Sequence, residues 1–133
     1  MDELKKLPEE LYYTKEHEWV RIDGDEAEMG ITDHAQEALG EITYVELPAV
    51  GKEIEQFAEL AVVESAKAAS DIYAPVGGTV SEINTHLESA PETINQSPYE
   101  EGWICRLTDV EPSQVENLLT AEEYAKLLES EAE

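Results

Sequence analysis

The stretch Glu-Ser-Ala-Lys-Ala-Ala-Ser-Asp at residues 64–71 places a single lysine, Lys67, among small side chains. No other lysine occurs between Lys52 and Lys126. A lysine that accepts a covalent group must be presented at a protruding turn, and small neighbours allow a modifying enzyme to approach closely. The local sequence leaves two interpretations open: a modification site, and an ordinary surface lysine with a solvated charge.

Patterns for conventional catalysis are incomplete elsewhere in the chain. His-Glu-Trp at 17–19 begins like the zinc-binding motif His-Glu-x-x-His, but Arg21 occupies the place of the second histidine. Cys105 lies in a strand-like apolar run, which favours a buried structural cysteine over a reactive one. Val-Gly-Gly-Thr-Val at 76–80 lacks the Lys-Ser/Thr of a phosphate-binding loop and predicts a hairpin turn. We therefore predict no enzyme active site and no metal site.

The composition of the chain is strongly acidic. Its 133 residues include 32 acidic and 8 basic side chains, which gives a net charge of −24. Such a surface repels phosphate groups, so we expect neither a nucleic-acid partner nor binding to anionic membranes. Partners with basic docking surfaces and adaptation to a saline habitat both explain the charge, and the composition leaves the two open.

Hydrophobic residues make up 41% of the chain, which is enough for a folded core. No apolar run approaches the length of a membrane span. The first residues, Met-Asp-Glu-Leu-Lys-Lys, mix charges and lack the apolar centre of a signal peptide. We therefore expect a cytoplasmic protein.

Short strands separated by turn residues are predicted from Tyr12 to Thr108. They are placed at 19–23, 27–32, 41–48, 57–65, 71–76, 79–84 and 102–108. The side chains expected to root the two strands beside Lys67 in the core are Leu60, Val62, Ile72 and Ala74. The large aromatic residues expected to be scaffold rather than cofactor contacts are Trp19, Tyr99 and Trp103.

Helices are predicted at two places. Asp33 and Gln36 form a capping pair for a short helix that Gly40 ends. In the acidic tail, capping boxes at helix starts are predicted for the pairs Ser113–Glu116 and Thr120–Glu123. The helix that begins at Thr120 has an apolar face of Tyr124, Leu127 and Leu128. Residues 1–133 are expected to form one domain, with an N-terminal segment at 1–10 and acidic helices at 111–133.

Four longer stretches of the chain carry distinctive motifs: VESAKAASDIYAPVGGTV (63–80), YTKEHEWV (13–20), GITDHAQEALGEITYVELPAVG (30–51) and NQSPYEEGWICRL (95–107). They are similar, in order and spacing, to signatures of the glycine cleavage system H protein family. The first of them resembles the family's lipoyl-lysine hairpin. The similarity extends from about Tyr12 to about Leu128. The chain departs from the pattern at Ala66, since the family commonly has valine immediately before the lysine.

This resemblance implies a mainly β fold, namely the flattened β-sandwich or barrel-sandwich hybrid of lipoyl and biotinyl domains, with short peripheral helices. Biotinyl domains place methionines beside the lysine, whereas the methionines of this chain are Met1 and Met29. The lipoyl domains of 2-oxoacid dehydrogenase acyltransferases typically have aspartate before the lysine, whereas this chain has Ala66.

The resemblance also implies a non-catalytic carrier with lipoic acid in amide linkage on Lys67, loaded by a lipoate ligase or a lipoyl or octanoyl transferase. The carrier would take an aminomethyl group from the P protein, a glycine decarboxylase, to the T protein, an aminomethyltransferase. It would then pass electrons to the L protein, a dihydrolipoyl dehydrogenase. The alternative is an H-like lipoyl protein that acts in lipoate relay or regulation outside glycine cleavage.

In the resembled family the loaded arm folds back into a surface cleft. By motif position, the resemblance implies that Glu18 and Asp71 line this cleft, with Glu16 and His34 as further candidates. A carboxylate beside the cationic amino group of the load would favour its charged form.

Overall fold

Two antiparallel β-sheets make up most of the molecule in a computed structural model that describes residues 7–132. The strands are β1 (Tyr12–Tyr13), β2 (Glu18–Asp23), β3 (Glu26–Ile31), β4 (Ile42–Glu46), β5 (Glu53–Ile54), β6 (Glu59–Ser65), β7 (Ala69–Tyr73), β8 (Gly78–Ile83) and β9 (Cys105–Thr108). The helices are α1 (Asp33–Leu39), α2 (His86–Ser89), α3 (Thr93–Gln96) and α4 (Ala121–Ala132), with a 3₁₀ helix at Pro112–Asn117. Residues 1–6 of the predicted N-terminal segment and residue 133 of the predicted tail lie outside the described residues.

The larger sheet has six strands in the order β1-β2-β3-β9-β8-β5, and the smaller has three in the order β4-β6-β7. The strand pairs in both sheets are antiparallel. The sheets are not closed into a barrel, and the mainly β fold with short helices and a C-terminal helix is confirmed. In the part of the chain that the structure describes, no helix has both the length and the apolar character needed to cross a membrane.

Two clusters of apolar side chains hold these elements together. The larger joins both sheets and includes the buried Met29 of β3 and Val63 of β6. The smaller lies where α4 packs on β1, and the rings of Tyr13 and Tyr124 stack there with centroids 4.8 Å apart. Each fully buried side chain of this size contributes about 1.5–3 kcal/mol relative to an exposed one. Helix α4 is therefore anchored next to the start of the His-Glu-Trp segment.

Trp19 is a scaffold residue, as predicted. Its ring is fully buried and its indole Nε1–H donates to the Pro98 carbonyl at 2.9 Å. A Cβ added at Gly30 would lie 2.9 Å from this ring, so the opposite strand needs glycine there. Tyr99 and Trp103 pack against the same cluster from the 95–107 stretch.

One core prediction for the strands beside Lys67 is wrong. Leu60 is buried as predicted, but Val62 is partly exposed, and the buried neighbours are Ala61 and Val63. The register of β6 on β7 shifts between Glu59 and Ala61. Because side chains alternate between faces along a strand, a single extra residue exchanges the buried and exposed positions beyond it.

The predicted hairpin turn at 76–80 is also wrong. This segment connects β7 of the smaller sheet to β8 of the larger one, so it is a crossing between sheets. Gly78 is required at the crossing, because a Cβ there would lie 2.5 Å from the Thr108 carbonyl oxygen. The glycine pair thus serves a close backbone approach and not a tight turn.

The helix ends agree only in part with the predicted caps. Thr32, not Asp33, caps α1 by accepting from the Ala35 N–H at 3.2 Å, and Gly40 ends the helix with φ of 82°. The 3₁₀ helix begins without a side-chain cap, so the predicted Ser113–Glu116 box is absent among the described contacts. The Thr120–Glu123 box is confirmed by reciprocal bonds of 2.9 and 3.2 Å.

Candidate functional site

Lys67 lies at the tip of the antiparallel hairpin formed by β6 and β7. Residues 66–68 are exposed, and the Ser65 N–H donates to the Ala68 carbonyl at 2.8 Å to close the tip. The Ser65 Oγ accepts from the Lys67 N–H at 3.2 Å and from the Ala68 N–H at 3.1 Å. One serine therefore holds the backbone on both sides of the lysine.

The surroundings of Lys67 suit a covalently attached group. Its neighbours Ala66 and Ala68 are exposed and small, so the side chain protrudes beyond both strands. Its ammonium group forms no ion pair with any residue in the described range 7–132. Attachment of a group at Nζ would therefore break no existing contact in this part of the chain.

A cavity of about 450 Å³ opens at the far end of β7 from Lys67. Its polar wall comes from the segment before β2 and from the first residue of that strand, and it includes Thr14, Lys15, Glu16 and Glu18. Its apolar wall consists of Tyr13, Phe57, Tyr73 and Leu119. The five residues of β7 span about 13 Å between the hairpin tip and this cavity.

Glu18 is fully buried at the base of this cavity. One carboxylate oxygen accepts a short hydrogen bond from the Thr14 hydroxyl, and the other accepts from the Tyr73 backbone N–H at 2.9 Å. Burial raises the pKa of Glu18 to about 7, and the bonds from Thr14 and Tyr73 oppose that rise. No basic side chain among residues 7–132 forms an ion pair with Glu18, so its buried carboxylate can pair with a cation that enters the cavity.

The structure places two of the four predicted cleft residues in the cavity wall. Glu16 and Glu18 line the cavity. Asp71 is exposed on β7, two residues before Tyr73, and therefore lies on the same strand face as that cavity residue. His34 lies on α1 with its ring 4.7 Å from the ring of His17, and it is not among the lining residues of the cavity.

Several cavity residues could not be predicted from the sequence. Thr14 and Tyr73 each donate to a different carboxylate oxygen of Glu18, but they lie 4 and 55 residues from it in the sequence and share no motif with it. Phe57 is 48% exposed at the cavity with φ of 69°. A positive φ at an aromatic residue is uncommon and marks a position of interest, but sequence does not reveal it.

Cys105 is the buried structural cysteine that the sequence predicted. Its side chain is fully buried in β9, and burial raises the pKa of the thiol to about 12. The thiolate that a nucleophile needs is therefore scarce at neutral pH.

Comparison with known proteins gives one consistent family. The family model for the glycine cleavage H-protein matches residues 11–131. The glycine cleavage system H protein of Thermus thermophilus is 53% identical over 126 residues, which cover 95% of this chain and 98% of that protein. The H protein of Rubrobacter xylanophilus is 50% identical over 128 residues, which cover 96% of this chain and 99% of that protein.

A solved structure agrees with these relatives. The crystal structure of a glycine cleavage system H protein from Mycobacterium marinum superimposes with a TM-score of 0.81 at 38% identity. The superposition covers 90% of this chain and 97% of the Mycobacterium marinum chain. The fold therefore matches as well as the sequence does.

The two-sheet fold and the exposed hairpin lysine define a non-catalytic carrier protein. The glycine cleavage H-protein family is known to carry lipoate. The chain belongs to the glycine cleavage H-protein family, and it functions as the H protein of that system.

Proposed function

We propose that Lys67 carries lipoic acid in amide linkage on its Nζ. The observation that carries this proposal is the position of Lys67 at the exposed tip of the β6–β7 hairpin, within a stretch similar to the family's lipoyl-lysine signature. Ser65 supports the proposal, because its hydroxyl orders the backbone around the lysine for a loading enzyme. The loading enzyme would be a lipoate ligase or a lipoyl or octanoyl transferase.

The bound lipoyl group supplies a dithiolane that accepts an aminomethyl unit from glycine and later yields electrons. The residues of this chain present that group and shelter its load. Lys67 provides a tether, and a tethered group has a high effective concentration at each docked partner. The specific partners that we propose are the P, T and L proteins of the glycine cleavage system.

We further propose that the cavity beside Glu18 shelters the load. The buried Glu18 carboxylate would pair with the cationic amino group, and Glu16 would add a second negative charge at the cavity wall. Tyr73 and Phe57 would exclude water from one side. Asp71 lies on β7 between Lys67 and the cavity, where its carboxylate would attract the cationic amino group as the arm moves from the hairpin tip to the cavity.

Two expectations from sequence stay predictions. The cavity lining gives no support for His34 as a cleft residue. The cytoplasmic location depends on the N-terminal composition, most of which lies outside the described residues.

The test of the attachment site is the substitution Lys67→Arg. It keeps the charge but removes the primary amine, so we expect no lipoylation and no glycine cleavage in a system reconstituted with the P, T and L proteins. Circular dichroism is expected to show an unchanged fold, because residues 66–68 are exposed. Intact mass and peptide mapping measure the modification directly.

The matched control is Lys126→Arg, which changes another exposed lysine. It is expected to retain full lipoylation and activity. Lipoyl mass on the Lys67→Arg chain, or retained glycine cleavage, would contradict the proposed site.

A further inference from the structure

Three metal-ligating side chains from distant parts of the chain meet beside the cavity wall. His17 comes from the segment before β2, His34 from α1 and Glu131 from the last turns of α4. One ligand atom of each lies within 4.8 Å of the others. The His17 Nε2 is 3.3 Å from a Glu131 carboxylate oxygen, and the two imidazole centroids are 4.7 Å apart.

These distances suit a small divalent cation. Zn²⁺ binds imidazole and carboxylate at about 2.0–2.2 Å, so two ligand atoms of a tetrahedral site lie roughly 3.3 Å apart. His17 and Glu131 already have that separation. His34 would close the remaining gap of roughly 1.5 Å by a side-chain rotation, since its ligand atom lies within 4.8 Å of the others.

The orientation of His17 is fixed by a second contact. Its Nδ1 is 2.7 Å from the Tyr124 hydroxyl, which in turn lies 2.8 Å from the Thr32 hydroxyl. Histidine ligands characteristically donate their other ring N–H to an oxygen, which sets the tautomer that leaves the opposite nitrogen free for metal. A metal bound at Nε2 would require the Nδ1–H to donate to the Tyr124 hydroxyl, and the distance of 2.7 Å allows this bond.

The type of ligand selects the type of cation. Two imidazoles and one carboxylate suit Zn²⁺ and its transition-metal neighbours, whereas Mg²⁺ and Ca²⁺ prefer sites made of oxygen. Three ligands leave a fourth position for water. The net charge of −24 further favours any cation at the surface.

We propose that His17, His34 and Glu131 form a binding site for one divalent transition-metal cation of the Zn²⁺ class. Arg21 stands four residues after His17 in place of a second histidine, so the sequence alone predicts no metal site, but the fold supplies His34 instead. The cation fastens the end of α4 to the segment between Glu16 and Glu18. It thereby joins the C-terminal helix to one wall of the cavity.

Titration calorimetry with ZnCl₂ tests this site on the full-length chain carrying Lys67→Arg, so that no lipoyl sulfur contributes. Excess Mg²⁺ in the buffer occupies sites that consist of carboxylates alone. We expect one Zn²⁺ to bind per chain. The substitutions His34→Asn and Glu131→Gln are each expected to weaken the affinity for Zn²⁺ by about tenfold or more. Zn²⁺ is also expected to shift the imidazole NMR resonances of His17 and His34.

The matched control is His86→Asn, because His86 is an exposed histidine on α2 outside the cluster. The substitution is expected to leave the affinity for Zn²⁺ unchanged. In the chain that retains His86, Zn²⁺ is expected to leave the His86 imidazole resonances in place. The proposed site would be overturned if the titration showed no one-to-one binding transition below about 100 µM Zn²⁺. Equal affinities in the unsubstituted and the His34→Asn chains would overturn it as well, since they indicate diffuse binding to surface acids.

Discussion

At the scale of single residues, Glu18 is fully buried, and its hydrogen-bond partners among residues 7–132 include no basic side chain. Its carboxylate is held by the Thr14 hydroxyl and the Tyr73 N–H, which fix its position at the base of the cavity. Hydrogen bonds to a buried charge replace part of its lost hydration, but a cation replaces more. A cationic load is therefore the ligand that this side chain suits best.

Glu18→Gln is expected to shorten the retention of the load on the lipoylated carrier by about tenfold, which corresponds to about 1.4 kcal/mol. The substitution keeps the shape of the side chain and removes its charge, so the cation loses its partner while the cavity remains. Asp71→Asn is expected to have a smaller effect, because Asp71 is exposed to solvent. The measurement is the rate of formaldehyde and ammonia release from the loaded carrier.

Glu116→Gln serves as the matched control, since Glu116 is an exposed acid of the 3₁₀ helix and is not a cavity residue. Equal release rates for Glu18→Gln and Glu116→Gln would assign the shelter to other residues.

At the scale of elements, the β6–β7 hairpin depends on Ser65. Its hydroxyl accepts from both amides that flank the lysine side chain, at 3.2 and 3.1 Å. The strands on either side are rooted by buried Val63 and Ile72. The tip can therefore change its local order while the strands stay in place.

Ser65→Ala is expected to slow lipoylation of Lys67 severalfold and to change the free energy of unfolding by less than about 1 kcal/mol, because the lost bonds are exposed. The rate with purified lipoate ligase measures the first effect, and urea unfolding measures the second. Amide hydrogen exchange at Lys67 and Ala68 is expected to accelerate.

The neighbouring Ser70→Ala provides the comparison, since Ser70 lies within β7 on the other side of the tip. A lipoylation rate in Ser65→Ala that equals the rate in Ser70→Ala would show that the order of the tip does not limit loading.

At the scale of the whole molecule, the excess of acidic side chains produces a negative electrostatic potential that acts on every partner that approaches. A net charge of −24 is expected to speed association with partners that have basic docking surfaces. Raising the ionic strength from about 0.01 M to about 0.1 M shortens the screening length from about 30 Å to about 10 Å. We expect the KM of the P protein for this carrier to rise severalfold over that range.

The control for this salt effect is the exchange reaction of the P protein with free lipoate in place of the carrier. Its KM is expected to change little, because free lipoate carries a single negative charge. A carrier KM that does not depend on salt would favour the saline-habitat interpretation of the composition.

Features that depend on neighbouring residues could be predicted from the sequence. The Lys67 hairpin, the helix end at Gly40 and the Thr120–Glu123 cap all follow from residues a few positions apart. The exchange of buried and exposed positions at Val62 could not be predicted, because the register shift that causes it depends on the partner strand. The contact of Glu18 with Tyr73 spans 55 residues and likewise has no local signal.

The bond between Glu18 and Tyr73 also bears on the solubility of the carrier. Strand β7 is an edge of the three-stranded sheet, and an open edge presents backbone N–H groups to which a strand from another molecule can pair. Glu18 occupies the Tyr73 N–H, and the exposed Asp71 places a negative charge on the same edge strand. Glu18 and Asp71 thus also oppose aggregation of the protein through this edge.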